Sequence, residues 1–408
     1  MHRLKRLARR LWGDEVEAAL RPLLAVGLVG SLAASAVWSF IGIWAIDELG
    51  ASSSAIGVAL LVSAALAALT GYASGHLSDR IGRRPVIIGG WAVLAGYVLP
   101  FAFVGDRVEL GLFLLAGVGM AASIGWAATA AMVADLVPSE RHEPAYASLR
   151  VANNLGVTLG PPLGGLLLLA SWPTLFVGVS LLAFAVFTLA WQVLPARGAY
   201  APEEAPSRGS FAVIRRDRIF LLFLLSSALA YVVYVAFETV LPISLVDSHD
   251  LAPSTWGFLV ILNPLMVTLF QLRLTRRVAH VPAALKLVLA VPLMGLPFLL
   301  LAVSSSLPVV ALVILVFVVG EMLWVPTSQA IAAGLAPPDV RGAYMGAFSS
   351  MGSVGFALAP LLGLSIRGAA GDTTMWAFFA AVSVVAAVVG ALAVRIAVTR
   401  RFAPAPAV

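Results

Sequence analysis

Two glutamates, Glu238 and Glu321, are the residues best placed to do chemistry, because each lies deep inside a long apolar run. A charge at the centre of a bilayer costs about 2.5–3.5 kcal/mol on insertion scales, so an acid kept there points to function. Desolvation disfavours the charged form, which brings proton binding near neutral pH within reach. Helical spacing adds Tyr231 and Tyr234 to the face of Glu238, and Trp324 and Ser328 to the face of Glu321. An acid beside an aromatic face suits a proton or a cation. An acid hydrogen-bonded to a neighbouring helix for packing alone is the competing reading.

A second constellation is the polar island Gly75-His76-Leu77-Ser78-Asp79-Arg80-Ile81-Gly82-Arg83-Arg84-Pro85, set between apolar runs at 51–74 and 86–104. A crossing needs about 20 apolar residues at 1.5 Å rise each, so both runs can span a bilayer and the island is a tight loop at one face. Its arginines put that face in the cytoplasm. Gly75 and Gly82 permit a sharp turn and close helix approach, while Arg80, Arg83 and Arg84 can meet lipid phosphates or carboxylates. Asp135, ending the fourth apolar run, is the partner expected for Arg83. The island resembles the signature loop between the second and third helices of the major facilitator superfamily, G-x-L-x-D-R-x-G-R-R. That resemblance implies that Asp79 meets a helix N-terminus near 342–345 and locks a state closed to the cytoplasm.

Composition supports a membrane protein throughout. The chain is 61% hydrophobic and 11% charged, with a mean hydropathy of +0.99, where soluble domains carry about 25% charged residues. Of 26 Lys and Arg, only Arg107 and Arg367 fall in loops placed outside. The pI of about 10.0 is therefore a topology signal and not a nucleic-acid footprint. Cysteine is absent, which excludes disulfides and thiolate metal sites. The first apolar run, 23–46, is too long for the core of a cleaved signal peptide.

Hydropathy marks twelve apolar segments, near 23–46, 51–74, 86–104, 109–134, 146–170, 173–194, 219–246, 254–273, 284–303, 308–334, 343–366 and 375–397. The expected organisation is a basic cytoplasmic segment 1–20, a six-helix bundle 21–194, a Pro-rich linker 195–218, a second bundle 219–398 and a tail 399–408. The halves repeat at a spacing of about 200 residues. Asp47 and Gly57 recur as Asp247 and Gly257, Pro138 and Arg141 as Pro338 and Arg341, and Gly156, Pro161 and Gly164 as Gly355, Pro360 and Gly363. The fold expected is all-α and polytopic, with two parallel repeats able to rock about a midplane cavity. The second copy of the arginine loop, 271–282, keeps its arginines but lacks the Asp and the glycines.

The fifth segment carries Gly156-Val157-Thr158-Leu159-Gly160-Pro161-Pro162-Leu163-Gly164-Gly165. Small residues let helices pack backbone to backbone, and Pro161 interrupts the hydrogen-bond ladder. This run resembles the G-x-x-x-G-P-x-x-G-G pattern of antiporters within the superfamily, which implies export and a fifth helix that seals the boundary between the halves. Gly320-Glu321-Met322 with Pro326, and Arg341-Gly342-Ala343-Tyr344-Met345-Gly346, resemble the drug:proton antiporter branch. In the superfamily, helices 1, 4, 7 and 10 line the cavity, which implies that both glutamates face it and adds Trp38 and Trp126 as cavity candidates. One departure stands out: the fourth segment has no arginine ahead of Gly117-Val118-Gly119, so proton coupling rests on Glu238 and Glu321.

Enzymatic readings find no support. The five histidines lie in tails, loops or their edges, none in H-E-x-x-H, and no P-loop is present. The expectation is a monomeric exporter in the plasma membrane, both termini cytoplasmic. It takes lipophilic or amphiphilic small molecules, exchanges them for protons, contacts membrane lipids, binds no nucleic acid and needs no cofactor or metal. The alternatives are a proton-independent facilitator, an exporter of sugars, lipids or other metabolites, and a non-transporting sensor on the same fold.

Overall fold

The computed structural model describes residues 18–199, 210–249, 259 and 261–402, and these residues form helices and connections without a strand. The basic segment 1–17, the middle of the linker, Gly257 and the side chains of Asp47 and Asp247 lie outside the described residues.

Among the described residues, nine helices are long and apolar enough to cross a membrane. Twelve crossings follow from three further facts. The last helix, Arg341–Phe402, has 62 residues and would run roughly 90 Å if straight, far beyond one bilayer core. Gly371 divides it, at φ 82°, into the eleventh and twelfth spans. The fifth span, His142–Leu168, is less apolar because Arg150, Asn153, Asn154 and the motif glycines interrupt it. The eighth span contributes Leu262–Arg277.

Local sequence explains where spans start and stop. Ser52 accepts the Ala55 N–H at 3.3 Å to open the second span, Ser53–Ile81. Ser171 does the same with Thr174 at 3.2 Å for the sixth, Trp172–Val193. Each such cap contributes about 1 kcal/mol. Gly82 ends the second span at φ 95° and its N–H donates to the Ser78 carbonyl at 3.1 Å. A side chain is strained at that φ, and the third span, Arg83–Val98, starts at the next residue. The fourth span is two helices, Val108–Ser123 and Trp126–Leu136, parted at Gly125.

The chain divides into two compact units. The first comprises Met1–Pro206, Pro264–Leu272 and Pro338–Ser353, and so takes in the opening turns of the eleventh span. Within it, span one packs on span five, span two on span four and span three on span six. Trp44, Phe101 and Phe176 close one end, with ring centroids 5.2–5.3 Å apart. The second unit comprises Ser207–Asn263, Arg273–Pro337 and Val354–Val408. The seventh span there is Arg218–His249 and the tenth is Leu307–Leu335. Phe237 and Phe317 stack at 4.0 Å between them, and the Ser226 hydroxyl donates to the Ala386 carbonyl at 2.7 Å. Large apolar side chains such as Leu69, Phe113, Leu169, Val303 and Val388 point outward, as lipid-facing helices require.

Candidate functional site

Asp79 lies in the last turn of the second span and Arg83 opens the third, so about one turn of chain presents an acid and a guanidinium side by side. Within the first unit, the Asp79 carboxylate accepts the Gly342 N–H at 2.7 Å and the Ala343 N–H at 2.8 Å, capping the helix that starts at Arg341. Those are backbone donors that a helix start leaves unspent, at the positive end of its dipole. The helices can come this close because Gly75 and Gly342 face each other. A Cβ on either would overlap the other's backbone.

Arg83 joins the pieces. Its Nη1 donates to Asp79 and, at 2.9 Å, to the Ser78 hydroxyl, and its Nε donates to Asp135 at 3.0 Å. Asp135 also accepts from Nη1 of Arg341 at 2.5 Å. The two acids and two guanidiniums balance in formal charge. All are buried, with the Asp79 side chain at 0% and Asp135 at 2% exposure. The loop resemblance anticipates the capped helix start, and Asp135 is the partner expected for Arg83. Sequence reasoning misses Arg341 as second partner of Asp135, although the repeat with Arg141 marks it. Arg84 lies apart from the cluster, donating to the Trp191 carbonyl at 2.5 Å and standing 5.6 Å from that indole ring. Arg80 is exposed.

His142, the first residue of the fifth helix and ahead of its apolar stretch, is buried beside this cluster. Burial, then the charge of Arg341, holds its imidazole below the usual histidine range, against opposing help from the Ala134 carbonyl, Glu140 and Asp135. The ring also stands edge-on to Tyr146 at 6.4 Å.

The fifth-span motif packs on the first span. Gly156, Gly160 and Gly164 lie against the backbone of the first span. Added Cβ atoms would overlap Leu28 and Leu32, then Leu32 and Ala36, then Ala36. Pro161 sits within a continuous helix, and Gly165 has only Phe40 near it, at 3.8 Å. The glycine face is thus taken up by the first span inside one unit. Close packing of this kind is what small residues permit when lipid removes the hydrophobic drive between helices.

In the second unit the two glutamates part company. Glu321 is buried at 1% exposure, and its Oε2 accepts the Asn263 amide at 2.6 Å. Glu238 is exposed, against the expectation of two buried acids: mid-span position in an apolar run does not by itself decide which face of a helix is covered. Tyr231 and Tyr234 are half-buried, and Trp324 meets them at 4.8 and 6.2 Å. Trp324 and Ser328 are buried, and the Ser328 hydroxyl donates to the Val325 carbonyl at 3.0 Å. Trp38 and Trp126 in the first unit are exposed. Asn263 escapes a reading of the sequence, where an Asn before Pro264 looks like turn punctuation. Among the described residues no three His, Asp or Glu side chains cluster to hold a metal ion.

Comparison with known proteins fits this geometry. The family model described as Major Facilitator Superfamily matches residues 23–360. The Na(+), Li(+), K(+)/H(+) antiporter of Planococcus maritimus is 25% identical over 362 residues, covering 80% of this chain and 84% of its own length. Multidrug resistance protein MdtH of Klebsiella pneumoniae (strain 342) is 26% identical over 323 residues, 78% of each chain. A bacterial homologue of the iron transporter ferroportin, solved in an outward-facing state, superposes with a TM-score of 0.72 at 18% identity, over 93% of this chain and 99% of that one. That last likeness speaks for the fold alone. The family match runs unbroken through the arginine loop, the glycine-faced span and both glutamates, and the chain belongs to the Major Facilitator Superfamily as an integral membrane transporter.

Proposed function

We propose that this transporter exports small lipophilic or amphiphilic molecules in exchange for protons, by alternating access, with Glu321 as the coupling acid. The observation that carries the reading is Glu321 itself, an acid buried mid-span and held by a neutral amide. An intramembrane acid bonded to a neutral group can take up and release a proton as its surroundings change. The antiporter-like run around Pro161 supports export. The similar proteins named for cation/proton antiport and for multidrug resistance support the same reading. Monovalent cations join the cargo candidates on the first of those names.

The cluster around Asp79 acts as a latch in this reading. Its bonds close when the start of the eleventh span docks and break when that helix start withdraws. The protein lies in the plasma membrane with both termini cytoplasmic, works as a monomer, and offers Arg80 to lipid phosphates. Tyr231 and Tyr234, with Glu238, present an aromatic and acidic face to cargo. One observation favours a second reading, a proton-independent facilitator: the fourth span lacks the arginine of proton antiporters.

The test uses purified protein in liposomes with an acid interior and a lumenal pH dye. Lipophilic cations, neutral drugs, sugars and the salts of Na⁺, Li⁺ and K⁺ are added outside. Antiport gives cargo-dependent proton efflux that drops by at least about tenfold in Glu321→Gln, a loss of about 1.4 kcal/mol or more in coupling. Uptake of labelled cargo without proton movement leaves the facilitator, and Glu321 returns to a packing role.

A further inference from the structure

Asn263 lies on the helix Leu262–Arg277 of the eighth span and Glu321 at the middle of the tenth, 58 residues further along the chain, yet the amide Nδ2 donates to Oε2 at 2.6 Å. An asparagine on a helix commonly bonds to nearby backbone. Here its side chain reaches across to another span. As glue the bond is a poor explanation, since interhelical side-chain hydrogen bonds in membranes contribute little to stability. As chemistry it is a better one. We infer that Asn263 is a positioning residue that holds Glu321 in place through both of its protonation states, an inference resting on the reading of Glu321 as the coupling acid.

The argument lies in what an amide can do that other side chains cannot. A carboxylate only accepts hydrogen bonds, whereas the protonated acid carries one O–H donor. The asparagine side chain offers two N–H donors at one end and a carbonyl acceptor at the other. With Nδ2 facing Glu321 it donates to the carboxylate, as in this structure. When Glu321 takes one proton from water, the carboxylate becomes the acid, the site loses its negative charge, and a half-turn of the amide lets Oδ1 accept the new O–H. No polar group need be stranded in either state, which matters where burial makes an unmade bond expensive. An arginine at this position would favour the ionised form alone. A leucine would fill space and support neither form by hydrogen bonding.

The experiment reads the acid directly and so does not depend on finding the cargo. Infrared difference spectra of the full chain in liposomes are recorded through a pH titration, and the Glu321 carboxyl band is identified by its loss in Glu321→Gln. In Asn263→Leu, which removes both bonds, the ionised form loses the stronger, charge-assisted one, so the pH of half-titration rises relative to the parent chain. Asn263→Asp keeps the size and covers the case in which the leucine variant does not fold. Its two acids titrate in two coupled steps, the upper one above the parent's. Half-titration at the parent's pH in either folded variant overturns the inference, as does the lack of any band lost in Glu321→Gln. A shifted titration together with no cargo-driven proton flux would sink the antiport reading and leave the positioning role of Asn263 standing.

Discussion

The chain keeps buried acids in two contrasting settings. At the end of the second span, Asp79 and Asp135 meet Arg83 and Arg341, so two negative charges face two positive ones. In the middle of the tenth span, Glu321 meets the neutral amide of Asn263. A guanidinium stays charged at any physiological pH, so the partners in the first setting keep their charge and the pairs open by the groups moving apart. In the second setting Asn263 is neutral and can both donate and accept, which the proposed proton coupling through Glu321 requires. The contrast also separates what each region risks, because a balanced ionic cluster tolerates the loss of a complementary pair better than the loss of one member.

The largest expected effect follows from that last point. Asp135→Ala removes the acid that two guanidiniums share and leaves Arg83 and Arg341 facing one remaining carboxylate. Breaking a buried pair from one side costs about 3–5 kcal/mol, so the thermal unfolding midpoint in detergent falls steeply and transport is lost. Removing charge from both sides, with Asp135→Asn and Arg341→Gln together, costs less than the two single changes summed. A midpoint in Asp135→Ala equal to the parent's would show that the cluster is not a charge-balanced network, and the contrast with Glu321 would lose one side.

Much of this is legible in the sequence, for reasons that differ residue by residue. The twelve crossings follow from run lengths, because lipid forces every backbone group to bond within its own segment. Asp79 is legible through the loop it sits in, and its helix-start partner at Gly342 and Ala343 through resemblance. Arg341 is marked by its repeat with Arg141, but the repeat does not say which acid it meets. Asn263 is not legible, since nothing local ties it to a glutamate 58 residues away. The exposure of Glu238 escapes for a similar reason: helical spacing gives a residue's face, and only tertiary packing says what covers that face. The glycines at 156, 160 and 164 read as a close-packing face, and the first span as their partner comes from the fold.

A middle-sized effect tests whether that glycine face tolerates change as little as the ionic cluster does. Gly160→Leu pushes a side chain into the backbone of Leu32 and Ala36, and overpacking of this kind costs about 1–3 kcal/mol. Gly165→Ala meets only Phe40, at 3.8 Å, and leaves the unfolding midpoint within error of the parent. Equal tolerance at both positions would mean that the first span does not occupy the face. The fifth span would then be free to serve elsewhere, as its motif suggests.

The smallest effect probes the edge of the cluster. His142 is buried with its ring N–H on the Ala134 carbonyl, among Arg341, Asp135, Glu140 and Tyr146. Burial and Arg341 hold its imidazole below the ordinary histidine range of the unfolded chain. A group depressed in this way contributes stability that is fully present above its unfolded value, about 6.5, and is lost as pH falls through the lower folded value. Protonation there adds a fifth charge, of the same sign as Arg341, to a cluster that is otherwise neutral. His142→Gln removes that acid-side loss, so the fall in unfolding midpoint between pH 7 and pH 5 becomes shallower than in the parent, while the midpoints at pH 8 stay close. Parallel curves for the two proteins across that range would mean that the cluster does not sense the charge of His142, and that Arg341 is held by Asp135 strongly enough to ignore it.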